Sequence, residues 1–519
     1  MTETQLQQIH ALAEDIKKQG YHSVCFWMPC YNVSGGSRYL CDLSVSLAKY
    51  TDLKIYYADY KGGYPSQLLE GSKGVEIVEY KDEDLEFSIK EPTIIFTNST
   101  KVIQIKKMNP LSKVLFWHFE TIPCGWPLLL FNREAKRFIK TAKKQNGLIY
   151  HDWSARDVLS NQFHIRLKNK EYLQMYSKFK PTDTNQSIKN EVEINIAWLS
   201  RFGMEKVYSL VNIIENFAKY KTTKKKRLHI IGDGLGKTIV ENCAKKYQNE
   251  IEIIFTGTIP HDKLHEYLIK NVDAVFAMGM SVAESAAIKI PSIFVQLSTH
   301  QFNDDAYYWL YDTKEYCVGI TTDQKDRFPV TPSTMTEILD VISNKETQKI
   351  AGEKCYEYFV NNFSDFNSIV IKFLEFIRNC SFTYKHIKKI CKYTPYRAVE
   401  QIDFKFKKLI LCRRTKFVDR VRYYILGVPV KNVKLNEDLK YSKWGLFNWP
   451  PILPCLRKKQ YVHVDNKSVS ERKIKIFKKT FIKISKNKIN QKYSLFGKIP
   501  FLVKRYNVGY NFPQSQFRG

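Results

Sequence analysis

Twice in the first 380 or so residues, short runs of β-branched and aromatic residues alternate with longer stretches of helical periodicity, and few folds accept that pattern. In the first block the runs are Val24–Met28, Leu53–Ala58, Val75–Val78, Thr93–Phe96, Val114–His118 and Leu148–Tyr150. Behind the first of them, Tyr39, Leu40, Leu43 and Leu47 recur with helical spacing. The second block runs Ile194–Leu199, Leu228–Ile231, Ile251–Phe255, Ala274–Ala277 and Pro291–Val295, with helical stretches near 205–219, 237–248, 262–270 and 281–288. Such alternation makes parallel sheets covered by helices on both faces. The expected fold class is therefore α/β: two Rossmann-like doubly wound domains facing a cleft. Ligands in such sheets sit beyond the carboxyl ends of the strands.

On this reading residues 1–20 are an N-terminal helix, 21–180 the first Rossmann-like domain, and 181–190 (PTDTNQSIKN) a polar hinge. Residues 191–364 form the second domain, 365–379 a closing helix, and 380–519 a basic, aromatic-rich extension. The charge follows the same division. Of 82 Lys+Arg and 52 Asp+Glu, the last 140 residues hold 34 and 7, which leaves 48 and 45 in a near-neutral body. Hydrophobic content of 44% excludes a wholly disordered chain. No apolar run reaches the roughly 18–20 residues of a membrane-spanning helix, and residues 1–19 are polar. Eleven dispersed cysteines read as free thiols in a reducing cytoplasm.

The glycine run Gly232-Asp233-Gly234-Leu235-Gly236-Lys237-Thr238 follows a strand and opens a helix. Its spacing is one residue short of a P-loop, and Lys237 stands where a dinucleotide fingerprint needs a small residue. It reads as a tight strand-to-helix turn whose helix end can still help to hold an anion. Ser34-Gly35-Gly36-Ser37 is a second such turn, where the backbone can approach a ligand closely. Asp82-Glu83-Asp84 reads as a solvated acidic loop. Arg201 and Lys206 bracket the start of a helix after the strand Ile194–Leu199, a pairing suited to a diphosphate. Glu284 reads either as a helix-end carboxylate or as an acceptor for a ribose diol. His118 and His151-Asp152 end the last two strands of the first block, as structural residues or as groups lining a cleft.

Taken in order, residues 21–379 resemble the retaining nucleotide-sugar glycosyltransferases of the GT-B fold, of the group 1 or family 4 type. The residues that carry the resemblance are Met28-Pro29 with Gly35-Gly36, Ala197-Trp198-Leu199-Ser200-Arg201 with Lys206, and His229-Ile230-Ile231-Gly232-Asp233-Gly234. Ile254-Phe255-Thr256-Gly257-Thr258-Ile259, Val272-Asp273-Ala274, Glu284-Ser285-Ala286-Ala287 and Ile290-Pro291 complete it. The resemblance implies that Arg201 and Lys206 bind and stabilise the departing donor diphosphate, and that Glu284 holds the nucleotide ribose. It implies contacts of the Thr258 and Ile259 backbones with the base, and of Gly35, Gly36, Gly232, Gly279 and Ser281 with the donor. His118 is implied against the donor sugar, with the catalytic role that Arg201 and Lys206 also carry. That family usually has a second glutamate eight positions earlier, where this chain has Phe276; Met278-Gly279-Met280-Ser281 occupies the loop instead, as in a sub-group with Gly-x-Ser before the helix. The implied reaction is sugar transfer from a nucleotide-sugar to a surface glycan or lipid-linked acceptor, with retention and with no metal or other cofactor.

The extension carries a degenerate repeat, Arg422–Pro429 returning as Lys492–Pro500, with a looser copy at Lys440–Phe447. Similar units occur in tails of bacterial surface-polysaccharide glycosyltransferases. Glu471–Lys488 can be drawn as a basic amphipathic helix with Ile474, Phe477, Phe481 and Ile484 on one arc, while Ile476 breaks the pattern. That reading makes the extension a dock for an anionic membrane surface or an acidic partner, rather than for nucleic acid. The expected location is the inner face of the cytoplasmic membrane. A nucleotide-sugar epimerase and a catalytically silent glycan- or nucleotide-binding protein are the alternatives.

Overall fold

The computed structural model describes residues 1–31, 35–81, 86–98, 105, 107–119, 132–167, 171–177, 192–203, 205–390, 398–406, 409–417, 420–426, 428–434, 470–476, 479–486, 490–495 and 499–506. The hinge at 181–190, the run Asp82-Glu83-Asp84, the Lys440–Phe447 repeat and Phe477 lie outside them. The chain divides into two units. One comprises Met1–Ser99, Lys106–Pro123 and Ile139–His386; the other comprises Thr100–Ile105, Cys124–Phe138 and Ile387–Gly519.

The first unit contains two sheets. One is built from β1 (Ser23–Trp27), β2 (Lys54–Asp59), β3 (Val75–Glu79), β4 (Ile94–Thr97), β5 (Lys113–His118) and β6 (Leu148–Tyr150). All pair in parallel in the order β3-β2-β1-β4-β5-β6. Its strands read as continuous apolar runs because both faces are covered; every residue of β1, β4 and β5 is buried. The helices are α1 (Glu3–Lys18), α2 (Gly35–Tyr50), α3 (Tyr64–Leu68), α4 (Asn132–Lys144), of which residues 139–144 belong to this unit, and α5 (Trp153–Phe163).

The second sheet repeats the plan with β7 (Glu193–Leu199), β8 (Lys225–Ile231), β9 (Glu252–Gly257), β10 (Ala274–Ala277) and β11 (Ser292–Phe294). A two-residue pair, β12 (Gln296–Leu297) with β14 (Ile320–Thr321), stands apart, and β13 (Tyr308–Trp309) adds an antiparallel edge. The sheet order is β13-β11-β10-β7-β8-β9. Between these strands lie α6 (Val207–Lys219), α7 (Lys237–Lys246), α8 (His261–Asn271) and α9 (Met280–Ala286), followed by α10 (Met335–Ser343), α11 (Lys345–Phe363) and α12 (Phe366–Asn379). Period-two alternation splits its core cleanly. Trp198 and Phe276 pack into one cluster, and Ala197, Leu199, Val275 and Ala277 into another. Each sheet changes direction once, between β1 and β4 and between β7 and β10. Those two switch points are where ligands enter such sheets. The chain finally returns to the first sheet, where Phe373 of α12 stacks on Phe26 (5.6 Å) and meets Phe96 edge-on (4.9 Å).

The second unit holds an eight-stranded antiparallel sheet. Its strands are β15 (Ala398–Phe406), β16 (Leu409–Phe417), β17 (Arg420–Ile425), β18 (Val428–Lys434), β19 (Ser470–Ile476), β20 (Lys479–Lys486), β21 (Asn490–Leu495) and β22 (Ile499–Tyr506). Two four-stranded meanders join through β15 and β22, in the order β18-β17-β16-β15-β22-β21-β20-β19. The meanders are copies. Phe404↔Cys412 followed by Lys405↔Ile410 passes over Leu411, and Ile474↔Ile482 followed by Lys475↔Thr480 passes over Phe481, the same bulge 70 residues on. A second bulge recurs at Val430 and Phe501. The repeat noticed in the sequence falls on β17 and the start of β18, and its second copy on β21 and the start of β22.

The helix expected over Glu471–Lys488 is therefore not formed. Ile474 lies in β19, and Phe481 and Ile484 lie in β20. Ile474 and Ile476, then Ile482 and Ile484, recur with period two, as strands require. Phe481 is the extra residue of a bulge, and its displaced phase produced the spacing of three and four that imitates a helix.

Candidate functional site

At the switch point of the second sheet, β7 and β10 are neighbours and Leu199 pairs with Ala277. Arg201 leaves one strand and Gly279 the other, each two residues past this pair. Lys206 is the N-cap of α6, so its ammonium and the helix dipole add at one place. Lys206 Nζ donates to Ser200 Oγ at 2.9 Å. Burial holds its pKa below the ordinary lysine value, Glu205 pulling the other way and Arg201 reinforcing the drop. Arg201 itself is exposed. Two cations lie within six residues of each other at the N-terminus of a 13-residue helix, a combination suited to a diphosphate.

The glycine run holds this loop in place. Gly232 has φ +135, and a Cβ there would lie 2.2 Å from the Ser200 carbonyl oxygen. That oxygen also accepts the Trp198 indole N–H at 3.0 Å. Phe202 N donates to the Asp233 carbonyl (3.0 Å), and Gly236 N donates to the Phe202 carbonyl (2.9 Å). A Cβ on Gly236 would meet Val207 Cγ2 at 2.7 Å. Gly232 is thus a packing glycine that lets the β8 loop lie flush under the Arg201–Lys206 loop.

Beyond β10, Gly279 (φ +66) caps α9 and donates its N–H to the Val318 carbonyl at 2.8 Å. Ser281 and Glu284 follow within that short helix, both partly buried. Burial raises the Glu284 carboxyl to about 7, and the positive charge of Arg38, in the first turn of α2, opposes the rise. Arg38 is a residue that sequence reasoning passed over; only folding brings α2 to face α9. Phe276 points into the core and packs edge-on against Tyr307 at 5.5 Å, so the position of the missing glutamate belongs to the strand interior. Thr258 is exposed and Ile259 half-buried, directly after Gly257 (φ +69) at the end of β9.

At the carboxyl edge of the first sheet, a Cβ on Gly36 would press on Met28 Cε (3.0 Å) and the Phe119 ring (3.1 Å). One on Gly35 would meet nothing within 4 Å, so its backbone is open to approach. His118 is buried at the end of β5, and its Nε2 has no hydrogen-bond partner among the described residues. Burial lowers its pKa to about 4, against the pull of Asp152, so the ring is neutral at physiological pH. The next strand end adds His151 and Asp152, with Nδ1 3.4 Å from Oδ2; Asp152 Oδ1 accepts the Ala155 N–H at 2.8 Å as the cap of α5. His151 and Asp152 are both buried, and His151 Nε2 has no hydrogen-bond partner among the described residues.

Two Rossmann-like sheets, with two basic residues and a helix N-terminus at the second switch point, define the class: the chain has the GT-B fold. The family model described as "Glycosyl transferases group 1" matches residues 179–300, the stretch that supplies Arg201, Lys206 and Glu284. That stretch is similar to a glycosyl transferases group 1 domain. No curated protein matches the chain in sequence. Among solved structures, HepE of Anabaena in complex with UDP and glucose is similar at 10% identity over 68% of this chain and 98% of that one, TM-score 0.44. A glycosyltransferase of Rickettsia africae gives 14% identity, 72% and 100% coverage, and TM-score 0.46. WaaG, a glycosyltransferase involved in lipopolysaccharide biosynthesis, gives 12%, 68% and 99%, and 0.38.

Proposed function

We propose that this enzyme transfers a sugar from a nucleotide-sugar to a surface glycan or lipid-linked acceptor, with retention of anomeric configuration and without a metal. The observation that carries the reading is that Arg201, Lys206 and the α6 N-terminus follow β7 while the helix bearing Glu284 follows its neighbour β10, at one switch point. The cations and the helix end stabilise the nucleoside diphosphate as charge develops on it, in a crevice that screens them less than bulk water does. Ionised Glu284 accepts hydrogen bonds from the ribose diol. Neutral His118 keeps a donor or acceptor nitrogen for a sugar hydroxyl without adding charge. Retention follows from deprotonation of the acceptor by the leaving phosphate on the same face, which asks for no general base.

The basic extension supplies location rather than chemistry, docking the enzyme on an anionic membrane surface at the cytoplasmic face. Among the described residues no helix is long and apolar enough to cross a membrane. A panel of nucleotide-sugars, assayed for nucleoside diphosphate release with membrane extract as acceptor and with or without chelator, tests the reaction. Arg201→Ala is expected to lower release at least ~100-fold. Release at the wild-type rate by that variant refutes the assignment of Arg201. Conversion of the donor to a stereoisomer identifies an epimerase, and donor binding without release identifies a silent binding protein.

A further inference from the structure

Away from the cations, the carboxyl edge of the first sheet carries a graded aromatic stack. Trp27 at the end of β1 is fully buried and meets Tyr80 edge-on at 5.2 Å. Tyr80, just beyond β3, contacts Tyr60, just beyond β2, at 6.0 Å. Tyr60 in turn stacks against Tyr31 with centroids 4.9 Å apart and planes 12° apart. Tyr31 is 52% exposed, so the stack starts in the core and ends on an open aromatic ring.

The loops that present this ring are fixed. Asp59, fully buried, accepts the Cys30 N–H (3.1 Å), the Ser66 N–H (2.9 Å) and the Ser66 hydroxyl (2.7 Å). Tyr64 N donates to the Cys30 carbonyl at 2.8 Å, and Gly63 N to the Tyr60 carbonyl at 2.9 Å. A Cβ on Gly63 would lie 2.3 Å from the Asp59 carboxylate, so the loop closes only with glycine there. Cys30 Sγ lies 3.0 Å from Ser37 Oγ, which ties the stack to the Gly35-Gly36 turn. Arg38, one residue on, acts electrostatically on both Tyr64 and Glu284.

A half-exposed tyrosine backed face to face by a second ring suits a ligand with one C–H face and a polar rim, and tyrosine offers that contact at small entropic cost. A pyranose ring has that form. We infer that the Tyr31–Tyr60 stack is the acceptor subsite, taking a pyranose residue of a glycan acceptor, with Arg38 reaching its hydroxyls from the donor side. Its role as acceptor subsite rests on the transferase reading given above; the capacity to bind a sugar ring does not.

Saturation-transfer NMR of the full chain with maltohexaose, cellohexaose and chitohexaose at millimolar concentration tests it, alongside thermal stabilisation by uridine and guanosine diphosphates. At least one hexasaccharide is expected to bind wild type. Tyr31→Ala weakens that binding about tenfold, Tyr31→Trp keeps it, and both retain stabilisation by the nucleoside diphosphate. Binding of none of the three by wild type, or equal binding by wild type and Tyr31→Ala, overturns the assignment. A wild-type chain that binds the hexasaccharide through Tyr31 but neither nucleoside diphosphate leaves the sugar platform standing and overturns the transferase reading together with the acceptor role.

Discussion

Replacing Glu284 by Gln separates what this residue does for the reaction from what it costs the fold. Folding moves its carboxyl from an ordinary 4.5 to about 7, chiefly because the group is taken out of water. That interval corresponds to roughly 3 kcal/mol against the ionised form, or about 2 kcal/mol once its partial solvent contact is discounted. The native state holds more protons than the unfolded chain between those two values, so stability falls as pH rises through that window. Glutamine keeps the shape and cannot ionise. Urea melts at pH 5 and pH 8 should therefore show Glu284→Gln gaining about 1–2 kcal/mol on wild type as pH rises. The same variant should bind nucleoside diphosphate about 10- to 100-fold more weakly by calorimetry, because a charged acceptor for the ribose diol is lost. A stability difference that does not change between pH 5 and pH 8 would refute the claim that burial, opposed by Arg38, sets this carboxyl.

Other substitutions test the supporting structure. Gly232→Ala sets a methyl group against the Ser200 carbonyl in a left-handed backbone conformation, and should cost roughly 2–4 kcal/mol in urea melts; a change within ~0.5 kcal/mol would contradict the packing role. His118 is neutral when folded and charges on unfolding, so wild type should lose stability as pH falls from about 6.5 to about 4. His118→Asn should flatten that loss, and an unchanged acid limb would place the proton elsewhere. Full-length chain should float with anionic vesicles in low salt and not with neutral ones, and Lys473→Glu, Lys475→Glu and Lys483→Glu together should weaken flotation. Equal flotation with neutral vesicles would count against electrostatic docking through the extension.

The body of the fold was legible because the inner strands are buried on both faces and so appear as unbroken apolar runs; Leu148–Tyr150 and Ala274–Ala277 coincide with β6 and β10 to the residue. Arg201, Lys206 and Glu284 were legible because they follow such strands at short distances, and a switch point needs only strand order to bring them together. What was hidden depends on contacts between distant segments. The glycine run looked like a turn, but its reason, the Ser200 carbonyl under Gly232, lies some 30 residues away in sequence. The Tyr31–Tyr60 stack joins two loops that share no sequence pattern and are held together by Asp59 and by the bond from Tyr64 N to the Cys30 carbonyl. In the extension one bulge residue, Phe481, shifted the apparent period from two toward three and a half, and Ile476 carried the truer signal.

The copied meander also settles what the two margins of the last sheet are. By the 70-residue repeat, β19 occupies the place of β15 and β18 the place of β22. Yet β15 and β22 are already joined, antiparallel, with Phe404 opposite Leu502. The left and right margins are thus the two sides of a seam that the chain has sewn once at its centre. A margin of this kind matches its opposite and not itself, as tiles do that fit head to tail. Matching β18 of one sheet to β19 of the next reproduces the central seam, with Ile474 set opposite Lys431.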